Sequence, residues 1–309
     1  MSFAFLPGHL AVSQGVRVDI LCRGPDTAVD AGPYPLSHVL EHGSEVLCLR
    51  YSAVSRHLAV GTAAGGVCVY SRSPSGGRFV LVARVGGRGE VRALDWFGGS
   101  DLVVGHAARL VMYDRSCLLL QTEEANGGLV ERQQPQQPPV TPSPSNCRWG
   151  VDLPSPIALV RAADDGRMFA SAGACDRVAR VWVPTSGVAS AGGGKPRAPT
   201  AVMLPHRRAV VALDWKPPSD HGSGVVPNVL LTLTSDGRAS MWQESGTSEE
   251  LAFFRTITLT TTADGGGPAR PLVSVTWLRY MWARTEGAGV VWSAEEVGEA
   301  GGAGGAGGG

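Results

Sequence analysis

The sequence predicts an all-β fold assembled from one repeated unit, and three observations carry that prediction. Apolar residues never keep the three-and-four spacing of a helix over any sustained stretch. An alternating apolar run, a turn, a second run, a tight turn with Gly or Asp, and a third run ending in an aromatic recur together four times. The closing aromatics Tyr70, Tyr113, Trp182 and Trp242 stand 43, 69 and 60 residues apart, and both longer gaps contain a stretch unlike a strand. Discounting those stretches leaves a period of about 40–45 residues, that of a four-stranded propeller blade.

The units follow in order. The first spans Ser44–Ser71, the second Gly89–Asp114, the third Ser155–Val183 and the fourth Arg208–Glu244. In the fourth, Val210, Ala212 and Asp214 alternate with Val211, Leu213 and Trp215, so successive side chains face opposite neighbours, as a strand held between blades requires. Asp165-Gly166 and Asp236-Gly237 supply the positive φ that tight turns demand. A weaker unit precedes the first at HLAVSQGVRVDIL (9–21), and another is expected to begin at FFRTITL (253–259) and PLVSVTWLRY (271–280). No single blade buries both its faces, so stability must come from stacking one on the next.

Residues 121–146, rich in Pro and Gln, and 187–200 (GVASAGGGKPRAPT) are expected to be disordered inserts, since Pro and Gly there exclude helix and ladder alike. The organisation predicted is a propeller domain over 1–297 interrupted by those inserts, then a Gly/Ala-rich tail over 298–309. Four clear units fall short of the roughly seven that would close a ring. The chain is therefore read as incomplete, a fragment or a truncated gene model, with unpaired strand edges and an exposed apolar face at its open end.

Composition narrows the function classes. Lys+Arg and Asp+Glu are 27 each, so no net field draws the chain to nucleic acid or an anionic surface. The cations are almost all Arg, with Lys only at 195 and 216. No apolar run reaches the ~18 residues of a membrane span, and Met1–Leu10 lacks the charged and apolar regions of a signal peptide, so a cytoplasmic protein without direct membrane insertion is expected. The six cysteines (22, 48, 68, 117, 147 and 175) show neither C-x-x-C nor zinc spacing and read as buried free thiols, with no metal and no cofactor expected.

The aromatic-terminated units resemble the WD-repeat family, in which a His ahead of the unit, a Ser or Thr in the second strand, a turn Asp and a Trp form a structural hydrogen-bonded network. The resemblance implies that network at His206, Thr232, Asp236 and Trp242, and, without the His, at Ser171, Asp176 and Trp182. The first unit keeps His42 but carries Tyr70 in place of Trp and no turn Asp; the second ends in Tyr113. If His206 and Asp236 form a buried pair, loss of one partner is expected to cost ~1–3 kcal/mol.

A narrower resemblance rests on DDGRMFASAGACDRVARVWVPTSG (164–187) and LPHRRAVVALDWKPPSDHGSGVVPNVLLTLTSDGRASMWQE (204–244). The VWVPTSG ending, the basic HRRAV entry, the Trp-Lys pair at 215–216 and the loop leading into PNVLLT are similar to the N-terminal propeller of DmX-like (rabconnectin) proteins and the large subunit of the yeast RAVE complex. That resemblance implies a non-catalytic scaffold promoting vacuolar-type proton ATPase (V-ATPase) assembly and organelle acidification. Its implied partners are V-ATPase catalytic-sector subunits and other RAVE-like subunits, with no nucleic acid, and its implied place is the cytoplasm, peripheral on endosomal or vacuolar membranes. The alternative is a generic WD-repeat adaptor, such as a ubiquitin-ligase substrate receptor.

The remaining motifs read more plainly. GGGK at 192–195 lacks the flanking strand and the Ser or Thr of a phosphate loop. Asp164-Asp165 precede a glycine and read as a turn, and Ser-Asp-His at 219–221 is a tripeptide where a triad is assembled in space. No catalytic residue is therefore assigned, and an enzyme would need polar groups converging on the propeller axis. Arg207 and Arg208 form a candidate partner-binding patch. Thr256–Thr262 reads as a strand or an aggregation-prone edge, and Thr141 and Ser143 as phosphoacceptors beside prolines.

Overall fold

In the computed structural model the described residues are 2–6, 9–22, 35–73, 78–114, 147–184, 199–217 and 227–245, with the backbone alone of 251–258, 260–261 and 270–271. The chain divides into a unit over Met1–Trp277 and a second over Leu278–Gly309, which lies wholly outside the described residues. Also outside them are residues 121–146, most of 187–200, GGGK, the tripeptide at 219–221, the phosphoacceptors at 141 and 143, and Cys117.

Among the described residues five four-stranded antiparallel sheets follow one another, each in sequential strand order. Blade 1 holds β1 (Phe3–Leu6), β2 (His9–Gln14), β3 (Arg17–Cys22) and β4 (Leu36–Glu41). Blade 2 holds β5 (Val46–Tyr51), β6 (His57–Thr62), β7 (Gly66–Arg72) and β8 (Phe79–Gly86). Blade 3 holds β9 (Val91–Phe97), β10 (Asp101–His106), β11 (Arg109–Tyr113) and β12 (Trp149–Asp152). Blade 4 holds β13 (Ile157–Ala162), β14 (Phe169–Gly173), β15 (Val178–Val183) and β16 (Thr200–Pro205). Blade 5 holds β17 (Val210–Trp215), β18 (Val229–Thr234), β19 (Arg238–Glu244) and β20 (Leu251–Thr258). A short pair, β21 (Thr260–Thr261) and β22 (Arg270–Pro271), follows.

Two expectations change. The weak upstream segment is the middle of a complete blade, with 9–14 and 17–22 as its second and third strands. FFRTITL does not open a new unit: residues 253–258 belong to β20, which pairs with β19 as the outer strand of blade 5. Its alternation is the same whether a strand lies innermost or outermost, so the pattern alone could not place it. β16 begins at Thr200, the last residue of the expected second insert, and residues 272–280 of the further unit lie outside the described residues.

Strand position decides burial. The second strands β6, β10, β14 and β18 are buried along nearly their whole length, and β6, β10 and β14 lie in blades that have a neighbour on each face. The outermost strands β4 and β16 are largely open, and β16 tolerates Pro205 because no further strand needs its missing N–H. The first strand of each blade packs on the first strand of the next. In blades 2 to 5 it carries a bulge at its second residue, Leu47, Arg92, Ala158 or Val211.

The core consists of layers between blades. Ala11, Val18 and Ile20 of blade 1 meet Leu49, Leu58 and Val60 of blade 2. Val67, Val69 and Val85 meet Leu94, Leu102 and Val104, and Ala170, Val181 and Leu204 meet Leu213, Trp215 and Leu230. Between blades 3 and 4 the layer is aromatic. Phe169 stacks with Trp149 at 5.7 Å and Trp182 at 6.1 Å, while Phe97 meets it edge-on. A repeated polar tie crosses the seams: the Trp96 indole donates to the Arg50 carbonyl at 3.2 Å, and the Trp215 indole to the Arg161 carbonyl at 2.9 Å.

Blade 1 turns its other face outward. Phe3 pairs with Val12, Phe5 with Leu10 and Leu21 with Leu36, so these side chains share one face, opposite the buried Ala4, Ala11 and Ile20. There Phe3 is 68% exposed and Leu36 54%. Of the thiols, Cys48 and Cys68 are buried as expected, Cys22 and Cys147 are half-buried, and Cys175 is exposed in a turn. Burial pushes the Cys48 thiol up to about 12, which makes it unreactive.

Candidate interaction surface

One end of the blades carries the turns between second and third strands and the connections from each fourth strand to the next blade. The two are zippered by backbone hydrogen bonds at every seam. His42 N–H donates to Val16 O and Val46 N–H to Gly15 O; Gly87 N–H donates to Gly65 O; Leu153 N–H donates to Ala108 O. At the last seam His206 N–H donates to Arg177 O at 2.7 Å and Val210 N–H to Asp176 O at 2.8 Å. These bonds give a rigid rim of exposed side chains, suited to holding a partner with little ordering cost.

Behind the rim lie the residues that the WD-repeat resemblance singled out. In blade 5 the Trp242 indole donates to Thr232 Oγ1 at 3.2 Å, and the His206 ring meets Trp242 edge-on at 5.6 Å. Asp236 stands apart. It is exposed, accepts from Thr234 Oγ1 at 2.6 Å, and is held below the usual carboxylate range chiefly by that hydroxyl. The buried His206–Asp236 pair does not form. Thr234, ahead of the turn, captures the carboxylate, and His206 Nε2 is left without a hydrogen-bond partner among the described residues.

In blade 4 the Trp182 indole donates to Ser171 Oγ at 2.9 Å. Asp176 accepts from Arg180 Nη1 at 2.8 Å; burial pushes its carboxyl up, but Arg180 and the other donors outweigh that and hold it low. No His precedes this blade; Leu153 holds the position of His42 and His206, and at the end of the second strand a Cβ on Gly173 would meet Ser155 Oγ at 2.1 Å and Asp176 Oδ2 at 2.8 Å.

Blades 2 and 3 put Val60 and Val104 in register with Ser171 and Thr232. A valine cannot accept from an indole, and in both blades the facing aromatic is a tyrosine. His42 meets Tyr70 edge-on at 5.8 Å, as His206 meets Trp242. In blade 2 the position of the turn Asp is taken by Ala64, and Thr62, in register with Thr234, donates its hydroxyl to Gly66 O at 3.0 Å as Thr234 does to Arg238 O; Gly65 supplies the positive φ of 86°.

Blade 3 contains a residue that the sequence reading did not single out. Gly87 holds the position of His42 and His206, and the imidazole comes instead from His106 at the end of the second strand. His106 is 2% exposed, lies 3.2 Å from the Tyr113 hydroxyl through Nε2, and fills the space beside Gly87, where a Cβ would come within 2.3 Å of its Nδ1. A glycine at 87 together with a histidine in register with Thr62 and Thr234 was the available signal, readable only once the strand pairing is known.

Among the described residues three imidazoles thus recur behind the rim, His106 buried and His42 and His206 half-buried, all with depressed basicity. Burial lowers His42, with Arg84 adding to the effect; burial lowers His206; burial and the Arg109 charge lower His106 to about 4. An unfolded His titrates near 6.5. The folded chain therefore binds fewer protons than the unfolded one below that pH, and stability falls as pH drops from about 6.5 toward 4. His106 contributes up to about 1.4 kcal/mol per pH unit in that window. Urea midpoints measured between pH 7.5 and 5, above the carboxylate range, are expected to fall steadily, and less steeply in His106→Asn; an equal slope in that variant removes His106 from the account.

Among the described residues no cluster of three metal-ligating side chains occurs. Asp165 lies in the Ala163–Gly166 turn, where its Oδ1 accepts from the Arg167 amide at 2.9 Å. Its Oδ2 accepts from Asn228 at 2.7 Å, joining a seam network in which Arg167 and Asn228 bind the buried Glu244. Arg207 and Arg208 are both exposed on the rim.

No protein-family model matches the chain. Among solved structures it is similar to the crystal structure of the Cps50 (Swd1) β-propeller domain of Myceliophteria thermophila, with a TM-score of 0.55 over 89% of this chain and 76% of that one. The fold is a β-propeller. The two sequences are 12% identical, so the likeness concerns architecture alone. Within this propeller the zippered rim recurs at every described seam and the aromatic-terminated third strand in blades 2 to 5, while in blades 2, 3 and 5 an imidazole is carried from either of two positions. Among the described residues no helix is long and apolar enough to cross a membrane.

Proposed function

We propose that this propeller is a non-catalytic scaffold of the DmX-like, RAVE large-subunit type, which promotes V-ATPase assembly and thereby organelle acidification. The observation that carries the reading is the likeness over 164–187 and 204–244, on either side of a variable insert, from DDGR and VWVPTSG to HRRAV, the Trp-Lys pair and PNVLLT. The rim supports it as a rigid docking surface whose turns are tied blade to blade. Under this reading the chain works in the cytoplasm, peripheral on endosomal or vacuolar membranes, with V-ATPase catalytic-sector and RAVE-like subunits as partners.

Affinity purification of the tagged protein from its own cells is expected to recover V-ATPase catalytic-sector subunits. Recovery of none of them sinks the assembly role. Recovery of a ubiquitin-ligase core in their place establishes the alternative, a generic WD-repeat adaptor acting as a substrate receptor, which the shared propeller architecture equally accommodates.

A further inference from the structure

Most rim arginines of blades 1 to 3 have an acidic partner, Arg17 with Asp19, Arg92 with Glu90 and Arg109 with Asp152 at 3.9 Å, while Arg88, exposed on the connection into blade 3, has no ion pair among the described residues. The seam of blades 4 and 5 gathers three such arginines in one place. Arg177, Arg207 and Arg208 are exposed, and none has a carboxylate within ion-pair distance among the described residues. Two acids of these turns are engaged among the described residues: Asp176 is bound by Arg180, and Asp236 accepts from Thr234 beside Arg238.

The backbone holds these three cations together. The His206–Arg177 and Val210–Asp176 hydrogen bonds clamp the turn carrying Arg177 against both ends of the connection carrying Arg207 and Arg208. Behind them the His206 ring is anchored on Trp242, so the connection is fixed from inside as well. Three guanidiniums on a pre-set backbone, each with its donors unspent, match closely spaced carboxylates, which Arg binds in a bidentate way.

We infer that the rim at the seam of blades 4 and 5 docks an acidic peptide segment of a partner protein through Arg177, Arg207 and Arg208. The inference rests on the scaffold reading and adds the chemistry of the partner. Neutral overall charge makes the site local: the attraction acts within about a Debye length, roughly 8–10 Å at physiological salt, and gives no long-range pull on polyanions.

The test uses the full chain and a fluorescein-labelled decaglutamate peptide followed by anisotropy. Binding is expected in low salt and should weaken steeply as salt is raised. The triple variant R177E/R207E/R208E should bind at least about tenfold more weakly. R56E/R78E/K216E, the same charge change on turns at the opposite end of the blades, should bind as the wild type does. The neutral variant R207S/R208S, checked for an unchanged melting temperature, gives the same answer should the triple reversal fail to fold. Equal binding by rim and control variants overturns the inference, as does binding confined to phosphatidylserine vesicles. Absent peptide binding with V-ATPase capture intact overturns this inference alone; peptide binding without that capture overturns the assembly role alone.

Discussion

Trp215→Ala is expected to destabilise the propeller by about 3–5 kcal/mol, read as a lowered denaturant midpoint. Trp215 is 1% exposed and sits in the layer between blades 4 and 5, against Ala170, Ala172 and Leu213. Its removal opens a cavity between two sheets whose strand registers are fixed, so neither blade can collapse into it. Trp215→Phe separates the two contributions. It keeps most of the buried area and loses the indole hydrogen bond to the Arg161 carbonyl, and should cost nearer 1 kcal/mol beyond the modest change in packing. An alanine variant within 1 kcal/mol of wild type would mean that this seam does not hold the blades together.

The prominence of that tryptophan also explains how much of the fold could be read beforehand. The first-strand motif ALDW at 93–96 and 212–215 and the closing aromatics mark residues buried between blades, where the chain has little freedom to vary chemistry. Blade 1 was faint for the converse reason. Its third strand, Arg17–Cys22, ends without an aromatic, and its outward face is uncovered, so the pattern that a following and a preceding blade impose is only half present. The fourth strand of blade 5 misled because alternation reports two-sidedness and carries no information about radial position.

At the candidate site the indole–hydroxyl hydrogen bonds Trp182–Ser171 and Trp242–Thr232 join residues at fixed distances along one hairpin, the kind of spacing a family resemblance can carry. The conditional pairing of His206 with Asp236 is not what the turn adopts, since the carboxylate takes the nearest donor and Thr234 is two residues away. The rim patch was legible as Arg207 and Arg208 alone. Arg177 joins them through a backbone bond between segments nearly thirty residues apart, with the variable insert between them.

Exchanging the two positions of blade 3 should show whether the imidazole pocket is one site reached by two routes. Gly87→His places a side chain where Cβ alone comes within 2.3–2.7 Å of the buried His106 ring, and overpacking of that kind costs about 1–3 kcal/mol or more. His106→Thr empties the pocket beside Tyr113 and should also destabilise. The double variant G87H/H106T recreates the arrangement of blade 2, a histidine on the connection with a threonine at the end of the second strand, already facing a tyrosine and backed by valine. Its loss of stability should therefore be smaller than either single loss, a coupling of at least about 1 kcal/mol in a double-mutant cycle. Additive losses would show that blade 3 had adapted its surroundings to His106, making the equivalence of the two positions geometric but not energetic.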